Sequence, residues 1–251
     1  MHTFHLEQAI FASSDRGSIK GYQLVARSAG VDRGTAQSLC RWSPTQMPCE
    51  SEQSWTINYF PVDEHTVAIS RTVLGGPEYS SRGGVHVVTL ILLMNNDHFH
   101  AYSCHPILVA KTALAIGFLR LPLNLDHEQL PPVTLPSQPL VLSPCPKVAE
   151  VDSRGQHRSS EPEEAILDEL ADLIRQTQRV ALIGLRDPIA TMDRLIPKLP
   201  LDVRREFSFT TGLAPTVRRP FQAHCLPRID VARQRALEAQ SIQRFDASRA
   251  S

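Results

Sequence analysis

The chain has 251 residues, with 26 Lys plus Arg against 26 Asp plus Glu, so its formal net charge is zero. That length fits one to two domains, and 42% hydrophobic with 21% charged residues excludes a chain disordered throughout. The charge balance argues against nucleic acid as an electrostatically held partner, because such binders carry a basic excess.

Residues 4–12 (FHLEQAIFA) and 21–27 (GYQLVAR) read as two strands, with Ser13, Ser14, Asp15 and Gly17 as turn residues between them. Residues 32–42 predict a short helix with Asp32 as its N-cap. Pro44 and Pro48 make residues 43–54 a loop. Three strands follow. Residues 55–60 (WTINYF) alternate, and 65–74 (HTVAISRTVL) put Val67, Ile69 and Arg71 on one side. Residues 85–94 (VHVVTLILLM) are apolar on both faces, as expected of a central strand covered on both sides. Between them, Gly75, Gly76 and Pro77 and the glycines of 80–84 read as a turn. Residues 106–119 (PILVAKTALAIGFL) predict a covering helix with Pro106 in its first turn.

Eight prolines between 122 and 162 predict extended backbone, with a short strand at 140–142. Residues 150–159 read as exposed and flexible. Ser160 and Glu163 form a capping box, followed by a helical stripe of Ile166, Leu167, Leu170, Leu173 and Ile174. Residues 179–184 predict a buried strand. Asp187 and Pro188 open a second helix, with Met192, Leu195 and Ile196 inward. A helical turn at 203–207, strands at 207–211 and 223–226, and a polar helix at 230–244 complete the pattern. The sum is an α+β fold. Its sheet is mixed and mainly antiparallel, with a central buried strand, covering helices and a Pro-rich crossover. Four parts follow: a β-rich 1–125, a Pro-rich crossover 126–160, an α/β part 161–229 expected to pack on the first as one compact unit, and a peripheral helix and tail 230–251.

The richest polar cluster holds His98, His100, Cys104 and His105. On a strand, His98 and His100 would point the same way, and with Cys104 or His105 they would form a zinc-type donor set. The spacing matches no zinc module, so no metal site, catalytic residue or cofactor is assigned. A hydrolase or metal-dependent enzyme using this cluster is the alternative reading. In the 80–84 turn, backbone amides beside Arg82 could meet an anion or a partner. Tyr79, Arg82, Gly83 and Gly84 are therefore the expected partner-facing residues. The pairs Arg204–Arg205 and Arg218–Arg219 read as solvated surface, with an acidic partner as the other option.

The start, MHTFHLEQAIF, lacks the features of a signal peptide. The apolar run at 106–123 carries Lys111 and Arg120 and is broken by Pro122. Five sparsely spaced cysteines predict no disulfide framework. A cytoplasmic protein without membrane contact is expected.

Three stretches carry a resemblance: LEQAIFASSDRGSIKGYQLVARSAG, YSSRGGVHVVTLIL, and RVALIG followed by LIPKLPLDVRREFSFTTGL. Together, across most of residues 4–226, the chain resembles the N-terminal region of bacterial GTPase-associated proteins. The resemblance implies a non-enzymatic adaptor or scaffold beside a GTPase or other NTPase in a conflict or signalling system. It carries over no catalytic residues.

Overall fold

The computed structural model describes residues 2–15, 20–47, 55–77, 85–122, 129–140, 161–176 and 179–247. The first strands are β1 (Thr3–Ser14) and β2 (Gly21–Ser28). Helix α1 (Arg33–Trp42) follows, capped as expected by Asp32, whose carboxylate accepts from the Thr35 amide at 2.7 Å. Next come β3 (Trp55–Pro61), β4 (Thr66–Pro77) and β5 (Val85–Asn95). Gly75 and Gly76 lie within β4 rather than in a turn. Gly75 sits directly under the His86 ring, where a Cβ would collide.

Helices α2 (Asn96–Ala101) and α3 (Pro106–Ala115) are followed by the short strands β6 (Gln129–Leu130) and β7 (Val133–Pro136). Helix α3 stops four residues before the predicted end. Gly117 takes φ +97°, its amide bonds to Leu114 O and the Phe118 amide bonds to Ala113 O. This is a Schellman closure, which a glycine at that position makes cheap.

The second half begins with α4 (Glu161–Arg175), whose buried stripe is Leu167, Leu170, Ala171 and Ile174. Strand β8 (Val180–Ile183) leads to α5 (Pro188–Leu195), capped by Asp187. A 3-10 turn (Ile196–Lys198), α6 (Leu201–Glu206), β9 (Phe209–Thr210) and β10 (Ala223–Leu226) follow. The predicted helix over 230–244 is instead α7 (Val231–Ala239) and a strand, β11 (Gln243–Asp246). Residues 140–142, 150–159 and the capping Ser160 lie wholly or largely outside the described residues.

Among the described residues one mixed sheet of 11 strands runs in the order β11-β8-β10-β9-β3-β4-β5-β1-β2-β6, with β7 paired to β1. The α+β class and its mainly antiparallel sheet are as expected. β5 lies well inside the sheet. Val88, Leu90, Leu92 and Met94 face one core, with α3, α4 and α5 over it. Val87, Ile91 and Leu93 face the other, beneath Leu39 of α1 and Phe221. Alternate burial on opposite faces is why this strand reads as an unbroken apolar run.

The seam between the two halves is the antiparallel pair β3–β9, where Asn58 stands opposite Thr210. The Asn58 amide donates to Ser70 Oγ at 3.2 Å and Thr72 Oγ1 at 3.1 Å, and its oxygen accepts from Thr210 Oγ1 at 2.6 Å. Thr72 Oγ1 in turn meets Thr89 Oγ1 at 3.1 Å. All five side chains are buried, so this hydroxyl chain is satisfied internally rather than by solvent.

Candidate functional site

The histidine cluster is built on a helix, not on a strand. Asn95 accepts from the His98 amide at 2.8 Å and starts α2, so His98 and His100, two residues apart, diverge. His98 stacks on Phe4 with ring centroids 4.0 Å apart, and burial lowers its pKa. His100 is exposed. Cys104 is buried, and burial pushes its thiol pKa up, away from thiolate chemistry.

His105 is the N-cap of α3. Its Nδ1 accepts from the Leu108 amide at 3.4 Å, which leaves Nε2 protonated to donate to Asp193 O at 3.1 Å. Burial lowers its pKa despite the Asp193 carboxylate, itself held by Lys111 Nζ at 2.5 Å. Both ring nitrogens are thus engaged. Among the described residues no three His, Cys, Asp or Glu side chains are placed to hold a metal ion. The structure therefore does not bring His98, His100, Cys104 and His105 together as a donor set.

This turn instead joins the two halves. Ser103 and Cys104 take φ 54° and 51°, left-handed values that non-glycine residues adopt at a cost. Arg204 holds the turn by donating to Ser103 O at 2.9 Å, Leu199 O at 2.7 Å and Pro197 O at 2.6 Å. Tyr59 Oη donates to the carbonyls of Arg204 and Arg205, each at 3.0 Å. Arg204 was expected at a solvated surface; it is a half-buried staple of carbonyl groups. Arg219 is half-buried too, and its Nε is buried without a hydrogen-bond partner.

The expected partner-facing residues Tyr79, Arg82, Gly83 and Gly84 lie outside the described residues. What is described is their frame. β4 and β5 are antiparallel neighbours whose last pair is Pro77 with Val85, so 78–84 connects adjacent strand ends.

A different feature is a shallow depression in the surface. On the face covered by α3, a depression of about 130 Å³ lies between that helix's closing turn and the sheet. Ile10, Leu90 and Leu92 are among the sheet residues that line it, and Phe118, Arg120 and Leu130 form part of its wall. Next in the chain to its lining residues, Ile116 and Leu121 are 39% and 45% exposed. The wall is held in an uncommon conformation, with Leu119 at φ 54° and its carbonyl accepting from Arg71 Nη1 at 3.1 Å. Arg71 also lies over the Trp55 ring at 4.8 Å. Sequence reasoning missed this site because its residues come from four separate stretches. Gly117, which closes α3 and lines the depression, is the signal that could have flagged it.

The sequence model of GTPase-associated protein 1, N-terminal domain type 2, matches residues 5–135. The chain belongs to this family. No curated protein and no solved structure matches it. The match is shorter than the expected 4–226, and the third resembling stretch, 179–213, falls outside it. Its limits make structural sense. His5 pairs with Thr134 between β1 and β7, so the family domain begins and ends on neighbouring strands. The depression lies entirely within the matched domain. Among the described residues no helix is long and apolar enough to cross a membrane.

Proposed function

We propose that this chain is a non-enzymatic adaptor or scaffold that acts beside a GTPase, or a related NTPase, in a bacterial conflict or signalling system of the cytoplasm. The observation that carries this reading is the family match over residues 5–135, whose name associates the domain with a GTPase. The open apolar depression within that same domain supports it, because such a surface is what a protein partner uses.

The test is affinity purification of the tagged full chain from its own host, with mass spectrometry of what is retained. A GTPase or other NTPase recovered in near-stoichiometric amount is the expected result. Recovery of the chain without any NTPase would contradict the reading.

A further inference from the structure

The depression has two properties that together specify an occupant. Its volume, about 130 Å³, is close to that of a cavity able to take a benzene-sized group. Its rim is cationic, and among the described residues the guanidinium groups there meet backbone carbonyls and the Trp55 ring but no carboxylate. Arg71 and Arg120 flank the Leu119 carbonyl, Arg71 from β4 and Arg120 as the next residue in the chain. Among the described residues Arg120 donates to Leu114 O, at 3.2 Å, and Arg71 donates through Nη1 to Leu119 O while its Nε is buried without a hydrogen-bond partner. Neither makes an ion pair with a carboxylate among the described residues. Burial lowers the pKa of Arg71, and the charge of Arg120 adds to that effect. Two guanidinium groups side by side beside apolar surface favour an anion brought from outside.

We propose that the depression is a socket for one leucine- or phenylalanine-sized side chain of a partner polypeptide, and that this partner places a carboxylate next to that side chain, against Arg120 and Arg71. Ile10, Leu90, Leu92 and Leu130 receive the apolar group. The exposed Ile116 and Leu121, next in the chain to lining residues, would form the apolar surround of the contact, as around a binding hot spot. The closing turn of α3 sets the socket's width. Its Schellman geometry projects residues 116–121 away from the helix axis instead of letting them continue along it. This deepens the adaptor reading by naming the chemistry of the partner, and it rests on that reading only for the partner's identity.

A phage-displayed random dodecapeptide library panned on the immobilised full chain tests it without any NTPase present. The expected peptides carry a large apolar residue within a few positions of Asp or Glu. Their affinity should fall at least about tenfold in Arg120→Glu and in the double variant Ile116→Ser with Leu121→Ser. Exchanging the peptide's acid for Lys should restore binding to Arg120→Glu. All three substitutions are at exposed positions. As a check that needs no variant, the bound peptide should shift the amide resonances of Gly117 and Leu130 in the wild-type chain. No enrichment, enrichment without acidic residues, or binding unmoved by the variants would overturn the proposal. Self-association of the chain abolished by Arg120→Glu would also overturn it, by making a second copy the occupant. A socket that binds such peptides in a chain that recovers no NTPase from its host would leave this inference standing and remove the adaptor reading alone.

Discussion

The family-matched part and the rest of the chain form one sheet by different means. In the matched part β3, β4, β5, β1 and β2 run antiparallel to one another in turn, and the two-residue β6 pairs parallel with β2. Beyond the seam, β9, β10, β8 and β11 run parallel. Their charges differ as well. On the α4–α5 side charges answer each other. Glu164 meets Arg194 and Lys198, each at 2.7 Å, and Lys198 also meets Asp168 at 2.7 Å. At the rim of the matched domain Arg71 and Arg120 make no ion pair among the described residues. The lesson is that the α4–α5 side neutralises its charges within the fold, whereas the two guanidinium groups at the rim of the matched domain meet carbonyls and a ring but no carboxylate among the described residues.

The largest test of this contrast is at the seam. Asn58→Ala removes the bonds to Ser70, Thr72 and Thr210 at once, leaving Thr72 only its contact with Thr89 and Thr210 only the backbone amides it accepts from among the described residues. Stranding buried polar groups should cost about 4 kcal/mol in chemical denaturation. A loss under about 1 kcal/mol would mean that the hydroxyl chain does not hold the halves together.

Next in size is a pH effect whose largest source lies in the parallel part. His224 on β10 is fully buried, and burial lowers its pKa to about 4. The folded state therefore keeps it neutral, while the unfolded chain takes up a proton near pH 6.5. Its contribution is complete above pH 6.5 and is lost as the pH falls toward 4. The total is about 3 kcal/mol. Denaturation midpoints followed from pH 7 to pH 4 should show this slope, and His224→Phe should reduce it to what the half-buried His98 and the buried His105 supply. A slope undiminished in His224→Phe would assign it to other groups.

Arg204→Ala removes three charge-assisted bonds to carbonyls from the turn that crosses between the halves. The expected loss is about 2 kcal/mol, and Arg204→Lys should recover little of it, because an ammonium cannot reach three carbonyls with the geometry of a planar fork. Full recovery by lysine would reduce the role of Arg204 to charge alone. The smallest effect concerns the socket wall. Gly117→Ala meets no atom within 4 Å, so only the left-handed backbone opposes it. A cost of about 1 kcal/mol is expected in thermal melts. A neutral or stabilising result would contradict the closure described for α3.

Much of this architecture was legible in the sequence where local chemistry decides it. Asp32 and Asp187 announced their helices because a capping carboxylate acts within three residues. The apolar run of β5 announced a covered strand. What escaped was set by contacts distant in sequence or by weak local signals. Helix α2 buries only Phe99, so it shows no apolar stripe. β11 reads QRFD, largely exposed, and is a strand only because β8 offers it a parallel edge. Arg204 looks like surface in a sequence because nothing there shows the carbonyls converging on it. The socket is legible only in part. Gly117 marks the turn, but the floor comes from β1 and β5, and no single segment carries its pattern.

The most direct test of the central claim is a paired purification from the native host, using the tagged wild-type chain and Arg120→Glu, with retained proteins quantified by mass spectrometry. The account predicts an NTPase in near-stoichiometric amount with the wild type and its loss, by roughly tenfold or more, with the variant. An NTPase retained equally by both would contradict the role given to the socket, and none retained by the wild type would contradict the adaptor reading itself.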